Sequence, residues 1–122
     1  MIGFAVPAAR KAKLLWTNPS PNLAFNAQTI SIDLSDYQCL EYIVKSRGQA
    51  SGVNPMAIFK APKGATAFIL PTHETTAIAS RVVTAADDSG VTFGNGNFYN
   101  FTDGYNEAGG NYAVPIEIYG IK

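Results

Sequence analysis

The chain has 122 residues, with 9 basic and 9 acidic side chains and a net charge of zero at neutral pH. This length predicts one domain, and the balanced charge argues against nucleic acid or an anionic membrane surface as a partner. The single cysteine excludes an intrachain disulfide, and no apolar run approaches the ~20 residues that a membrane helix needs.

Residues 1–11 are predicted to form a flexible N-terminal arm, because Pro7 interrupts local order and basic residues follow an apolar stretch. Residues 12–122 are predicted to form a single domain. Its first strand is expected at residues 13–17, closed by a turn rich in Asn, Pro and Ser at residues 18–22.

Residues 28–34 alternate apolar and polar side chains without a break, which is the period of a half-buried strand. The second strand is therefore predicted from Phe25 to Leu34. Residues 39–47 fit either a helix with capping signals or a strand, and their alternation with Tyr, Ile and Val favours the strand.

Two hairpins are predicted in the middle of the chain. Residues 61–64 would turn between strands at 56–60 and 65–70, and Gly94-Asn95-Gly96 would turn between short strands on either side of it. Between these hairpins we predict a turn at residues 71–74 and a strand at about residues 75–84. An open loop at 102–111 and a last strand at 112–121 complete the prediction.

About eight or nine short strands at this spacing predict an all-β fold, an antiparallel β-sandwich of jelly-roll-like character. The alternation at both ends of the chain predicts the members of its core. These are Leu15, Trp16, Ile30, Ile32, Leu34, Val114, Ile116 and Ile118.

The sequence carries no catalytic signature, so we expect a protein that is not an enzyme. His73 is the one candidate for a neutral-pH base and falls in a predicted turn. One His and one Cys cannot form a zinc site, and Asp87 and Asp88 read as turn residues rather than calcium ligands because the required spacing is missing. No metal and no cofactor are expected.

Aromatic and asparagine side chains alternate from residue 95 to residue 112, and aromatic faces beside amides are suited to stacking on sugar rings. The same residues also suit a protein interface or a core with Asn-rich turns, and the pattern leaves all three open. If a ligand site exists, we expect Tyr99 and Tyr105 as stacking platforms. Its polar partners would be Asn100, Asp103 and Asn106.

Several segments resemble a family of small phage and prophage structural proteins, found in tails, baseplates and head fibres of phages of gut bacteria. The resemblance lies in residues 13–19, Phe25, residues 28–30, 34–37 and 91–94, and the terminal Pro115-Ile116-Glu117-Ile118-Tyr119-Gly120-Ile121-Lys122. It implies a β-sandwich virion component, often trimeric, that serves in decoration, as a fibre or in host attachment. Such a protein would assemble in the bacterial cytoplasm and contact other virion proteins.

Two other functions are considered beside this one. A carbohydrate-binding module, with a cell-surface glycan as its partner, would use the aromatic segment, but the start of the chain lacks the pattern of a secretion signal. A small β-sandwich hydrolase is disfavoured because the chain lacks an evident base. Self-association is expected because the chain carries more aromatic residues than a small core requires.

Overall fold

The computed structural model describes residues 12–49 and 54–122, and the arm predicted at residues 1–11 lies outside them. The described part of the chain contains nine strands and no helix. The strands are β1 (Lys13–Thr17), β2 (Gln28–Ser31), β3 (Cys39–Arg47), β4 (Met56–Pro62), β5 (Phe68–His73), β6 (Ala77–Asp87), β7 (Gly90–Asn100), β8 (Asn106–Ala108) and β9 (Tyr112–Ile121).

The strands form two antiparallel sheets that pack face to face. The first sheet has the order β1-β9-β3-β4, and the second has the order β2-β7-β6-β5 with β8 paired to β7. This arrangement confirms the predicted all-β sandwich. Because each strand presents alternate side chains to the space between the sheets, the apolar halves of the alternating segments meet there.

The core between the sheets contains the residues that alternation predicted. Leu34, Val114 and Ile118 are completely buried. The other five are partly buried and pack against the central cluster: Leu15, Trp16, Ile30, Ile32 and Ile116. Phe93 lies at the centre of an aromatic group, with edge-to-face contacts to Phe25 and Tyr42 at centroid distances of 5.6 and 6.2 Å.

The ambiguous segment at 39–47 is strand β3, as its alternation favoured. Leu40, Tyr42 and Val44 are buried between the sheets, while Glu41 and Lys45 lie on the other side of the strand. β3 occupies the interior of its sheet, paired with β4 on one side and β9 on the other. Burial on one face and partners on both edges therefore outweigh the helix-capping signals.

The predicted hairpin around residues 61–64 is wrong. β4 belongs to the first sheet and β5 to the second, so this connection crosses from one sheet to the other. The amide of Lys63 donates to the carbonyl of Gln38, and the amide of Gly64 donates to the carbonyl of Ala86. The turn residues thus bond to both sheets, which a local sequence signal cannot reveal.

The predicted turn at Gly94-Asn95-Gly96 is also wrong, because β7 runs through it. Neither glycine has a positive φ. A Cβ at Gly94 would lie 2.3 Å from Cγ1 of Val82, and one at Gly96 would lie 2.2 Å from the carbonyl oxygen of Tyr112. These glycines are required for close approach of neighbouring chain segments and not for a reversal.

Three further boundaries differ from the predictions. β2 is hydrogen-bonded as a strand only over Gln28–Ser31, although Ile32 and Leu34 still donate to the carbonyls of Ser89 and Asp88. The predicted turn at 71–74 is mostly strand β5, which tolerates Pro71 because it lies at a sheet edge. The predicted open loop at 102–111 includes the short strand β8.

Candidate functional site

The tip of the β7–β8 hairpin holds two of the residues proposed as a ligand site. Asn100 Oδ1 accepts hydrogen bonds from the amide and hydroxyl of Thr102, and Asp103 Oδ1 accepts one from the amide of Tyr105. These are turn-forming bonds between a side chain and the backbone two residues on. Oδ1 of Asn100 and Oδ1 of Asp103 therefore shape the loop.

The two tyrosines proposed as stacking platforms lie on opposite faces of this hairpin. Tyr105 lies on the same side of the hairpin as Phe98 and packs edge-on against its ring, with a centroid distance of 6.2 Å, while 53% of its surface stays exposed. Tyr99 follows Phe98 in the strand and points outward, with 43% of its surface exposed. One ring stacked on both tyrosines is not possible in this arrangement.

The hydroxyl of Tyr105 donates to Glu107, and so does the hydroxyl of Tyr112 at 2.9 Å. These two hydrogen bonds lower the pKa of the Glu107 carboxyl below its usual value. The bond to Glu107 raises the pKa of Tyr105, and the pKa of Tyr112 is raised mainly by burial. At neutral pH this group consists of one carboxylate and two protonated phenols, which hold one another in place.

A second polar cluster joins β3 to the turn after β5, and no sequence pattern predicts it. Arg47 donates to both carboxylate oxygens of Glu74, at 2.9 and 3.0 Å, and the hydroxyl of Ser46 also donates to Glu74. The Arg47 guanidinium lies 4.6 Å from the centroid of the Phe98 ring. Its hydrogen bonds are the main cause of the lowered pKa of Glu74. A carboxylate held in this way is a structural clamp and a poor proton carrier.

Arg81 is the largest fully buried side chain, with 1% of its surface exposed. Its guanidinium donates to the backbone carbonyls of Ala113, Gly94, Gly110 and Tyr112. Burial lowers its pKa to about 10, so the group stays charged at neutral pH. Arg81 therefore connects β6 of the second sheet to the start of β9 in the first sheet, a role that no sequence pattern predicts.

The backbone at Ala113 has a left-handed φ of +46°. In a regular strand, consecutive carbonyls point in opposite directions, yet those of Tyr112 and Ala113 both accept bonds from Arg81. The unusual φ at Ala113 turns the two oxygens toward one cation. The strain at this position therefore belongs to the buried arginine site.

His73 is exposed and lies at the end of β5, not in the predicted turn. Its ring stacks on Phe101 with a centroid distance of 6.2 Å. In the described residues no group of three or more His, Cys, Asp or Glu side chains is arranged to hold a metal ion. Asp87 accepts bonds from Ser89 in the β6–β7 turn, and Asp88 pairs with Lys63.

The outward positions of β5, of β6 from Ile78 to Thr84 and of β7 from Thr92 to Tyr99, which we call the neutral face, carry no Lys, Arg, Asp or Glu; Asp87 at the end of β6 lies outside it. Three of its residues are large and exposed: Ile69, Ile78 and Tyr99. The outward positions of the three described strands are Ile69, Pro71 and His73 on β5, Ile78, Ser80, Val82 and Thr84 on β6, and Thr92, Asn97 and Tyr99 on β7.

Cross-strand pairing orders the neutral face into rows. His73 pairs with Ile78, Ile78 with Tyr99, and Tyr99 with Asn106 of β8. The structure therefore brings together two of the predicted site residues, Tyr99 and Asn106. The adjacent row contains Pro71, Ser80, Asn97 and Ala108.

The outward face of the first sheet has a different character. It carries Glu41, Lys45, Lys60 and Glu117, and Lys60 lies 3.7 Å from Glu41. One side of the sandwich is thus charged in the usual manner of a solvated surface, while the other is neutral over three neighbouring strands. Depletion of charge with retention of aromatic residues is a property of the central part of protein interfaces.

No helix among the described residues has the length and apolar character needed to cross a membrane. Comparison with protein-family models, curated proteins and solved structures found no match to this chain.

Proposed function

We propose that this chain is a non-enzymatic structural protein of a phage particle, which contacts neighbouring subunits through the neutral face. The neutral face is the observation that carries the proposal. Exposed Ile69, Ile78 and Tyr99 on a sheet face without ionic groups favour burial against a second surface. The resemblance of both ends of the chain to small phage structural proteins supports the virion as the place where that surface is found, after assembly in the bacterial cytoplasm.

The non-enzymatic part of the proposal is supported by the hydrogen bonds that the two clustered carboxylates, Glu74 and Glu107, accept. Glu74 is held by Arg47 and Ser46, and Glu107 is held by two tyrosine hydroxyls. Each group has a hydrogen-bonded structural role, and each carboxyl has a lowered pKa. A general acid at neutral pH needs the opposite shift.

The contact is tested by substitution on the neutral face. Ile78→Lys places a charge between His73 and Tyr99, and we expect it to reduce the assembly measured by light scattering. Leu14→Lys is the matched control, because Leu14 is similarly exposed, at 45% against 38% for Ile78, but lies on β1 of the other sheet. Equal masses for both variants and the wild type would contradict a contact at this face.

The location is tested separately. Mass spectrometry of density-purified phage particles from the encoding bacterium should detect this chain in amounts comparable to those of other structural subunits. The trimer implied by the resemblance is the symmetry that we propose for the contact. Absence of the chain from purified particles would contradict the virion assignment without affecting the contact itself.

A carbohydrate-binding function is the second candidate, and one observation favours it. Asn106 lies beside Tyr99 in its row, and Ser80 and Asn97 lie in the adjacent row. The side chains of these three residues form no hydrogen bond with other described residues. An exposed ring beside unused hydroxyl and amide groups is suited to a sugar. A glycan array probed with the wild type and with Tyr99→Ala distinguishes this function from subunit contact.

A further inference from the structure

A free strand edge at β4 is a separate feature from the neutral face. β4 lies at the end of the order β1-β9-β3-β4, and no strand in the described part of the chain pairs with its outer edge. Its pairing with β3 is continuous over seven residue pairs without a bulge. The backbone groups along the outer edge are therefore regularly spaced for another strand.

The other sheet edges in the described structure are protected, and β4 is not. β1 contains a register shift, β2 and β8 have only 4 and 3 residues, and β5 contains Pro71. Natural proteins use short strands, bulges, proline and charge to prevent edge pairing. β4 has Pro62 only at its end and one charged residue, Lys60.

The side chains of β4 also indicate that the edge is a contact surface. Met56 and Ile58 are 59% and 66% exposed and lie on the outer side of the strand. On the inner side, Phe59 stacks on Phe68 with a centroid distance of 5.7 Å. A strand added to this edge would place its own outward side chains beside Met56 and Ile58 and reduce their exposure. Its inward side chains would lie beside Phe59 and enlarge the core.

We propose that β4 pairs antiparallel with β4 of a second copy of this chain, about a twofold axis at Phe59. In this register all seven residues of Met56–Pro62 are paired with residues of the second copy. Side chains on the outward face of one sheet then lie beside side chains on the outward face of the other. It places Ile58 opposite Lys60 of the second copy and Met56 opposite Pro62. An axis at Lys60 would instead place two positive charges together, so charge selects against it.

A second copy is favoured over an unrelated strand because the edge is complementary to itself. Each apolar outward residue meets a residue of the same strand without like-charge contact, which a twofold interface requires. The pairing joins two four-stranded sheets into one continuous sheet. It goes beyond the proposed function, since it involves neither the neutral face nor the virion.

Two substitutions at one position test the register. Ile58→Glu and Ile58→Lys remove the same apolar side chain, but the first places a negative charge opposite Lys60 of the second copy and the second places a positive one. We expect the dimer of Ile58→Lys to dissociate at least about tenfold more readily than that of Ile58→Glu. Equal dissociation constants, or the reverse order, would overturn the proposed register.

The measurement is sedimentation analysis in the Ile78→Lys background, where the contact of the proposed function is weakened. A dimer that persists there and responds to the charge at position 58 supports the edge contact. A monomer at all accessible concentrations overturns it. Loss of assembly caused by Ile78→Lys alone concerns only the neutral face, so the two failures are distinguishable. Thermal unfolding of each variant verifies that the fold is retained.

Cross-linking tests the same register independently. Chains with Ile58→Cys and chains with Lys60→Cys, both carrying Cys39→Ala, are mixed and oxidised. Opposed positions allow a disulfide, while the diagonal distance between identical positions disfavours one. A covalent dimer should form in the mixture in higher yield than in either sample alone, and equal yields would overturn the proposal.

Discussion

Tyr99 and Tyr105 belong to one hairpin but face opposite sides of it. Tyr99 points outward from the second sheet beside Asn106, and Tyr105 packs on Phe98 and donates to Glu107. The hairpin therefore contributes to two different surfaces. Only the surface that contains Tyr99 is continuous with the neutral face.

The two tyrosines should differ when each is changed to alanine. Tyr99→Ala is expected to weaken assembly or glycan binding, whichever the neutral face performs, since it removes the central ring of the row. Tyr105→Ala should leave both properties and the melting temperature nearly unchanged. Light scattering and a glycan array measure the two effects. If Tyr105→Ala caused a larger loss of assembly or glycan binding than Tyr99→Ala, the site would lie in the loop, as predicted from the sequence.

Leu34 and Ile32 should contribute unequally to stability. Leu34 is completely buried, whereas Ile32 is partly exposed at the margin of the core. We expect Leu34→Ala to lower the free energy of unfolding by about 2–5 kcal/mol and Ile32→Ala to lower it by less. Urea denaturation of both variants measures the difference, and equal losses would contradict the burial difference.

Gly96 should not tolerate a methyl group. Its added Cβ would lie 2.2 Å from the carbonyl oxygen of Tyr112 and 2.6 Å from that of Gly109. Gly96→Ala is therefore expected to destabilise the fold by about 2 kcal/mol or more. Gly109→Ala is the control, because its Cβ would meet only ring atoms of Tyr112, the nearest at 3.5 Å. Similar melting temperatures for both variants would show that the strands are not closely apposed at Gly96.

Arg81→Met should be strongly destabilising although it removes a buried charge. Four backbone carbonyls would lose a hydrogen bond, and only that of Gly110 is known to keep another donor, the amide of Phe25. Each unsatisfied buried group costs about 1–3 kcal/mol. We expect a loss of about 3 kcal/mol or more in the free energy of unfolding. Arg81→Lys should be intermediate, since it keeps the charge without the planar fork. A neutral effect of Arg81→Met would mean that water replaces the guanidinium.

Glu74 should make stability depend on acidic pH. Its folded-state pKa is below the ordinary value of 4.5, mainly through hydrogen bonds from Arg47. The carboxylate therefore contributes stability above pH 4.5 that is lost as the pH falls through the lower folded-state value. The stability difference between the wild type and Glu74→Gln should shrink as the pH is lowered in urea titrations. A difference that is constant with pH would contradict the clamp.

Strand positions were predictable where alternation was undisturbed. β1, β3 and β9 begin and end where the pattern predicts, because one face of each strand must be apolar to form the core. The sheet to which each strand belongs was not predictable. Pro62 and Gly64 indicate that the chain changes direction at residues 61–64, but they do not indicate which strand the next strand pairs with. The turn predicted at Gly94 and Gly96 was wrong because the sequence does not distinguish a glycine needed for close approach from a glycine needed for a turn.

The candidate site was only partly predictable for a related reason. Tyr99 and Asn106 were identified by type, but their pairing depends on the register of β7 and β8. Arg47, Glu74 and Arg81 act through partners distant in sequence. No local pattern marks a cation that is matched to carbonyls from another sheet.

The neutral face has a consequence for the solution conditions under which its contact can hold. Dissolved ions weaken attractions between exposed charges by screening them, and a contact without ionic groups has nothing to be screened. Its strength should instead rise with salts that are excluded from protein surfaces, and it should weaken on cooling, as apolar association does. A protein joined in this way would not lose its contact when its surroundings change from dilute to saline.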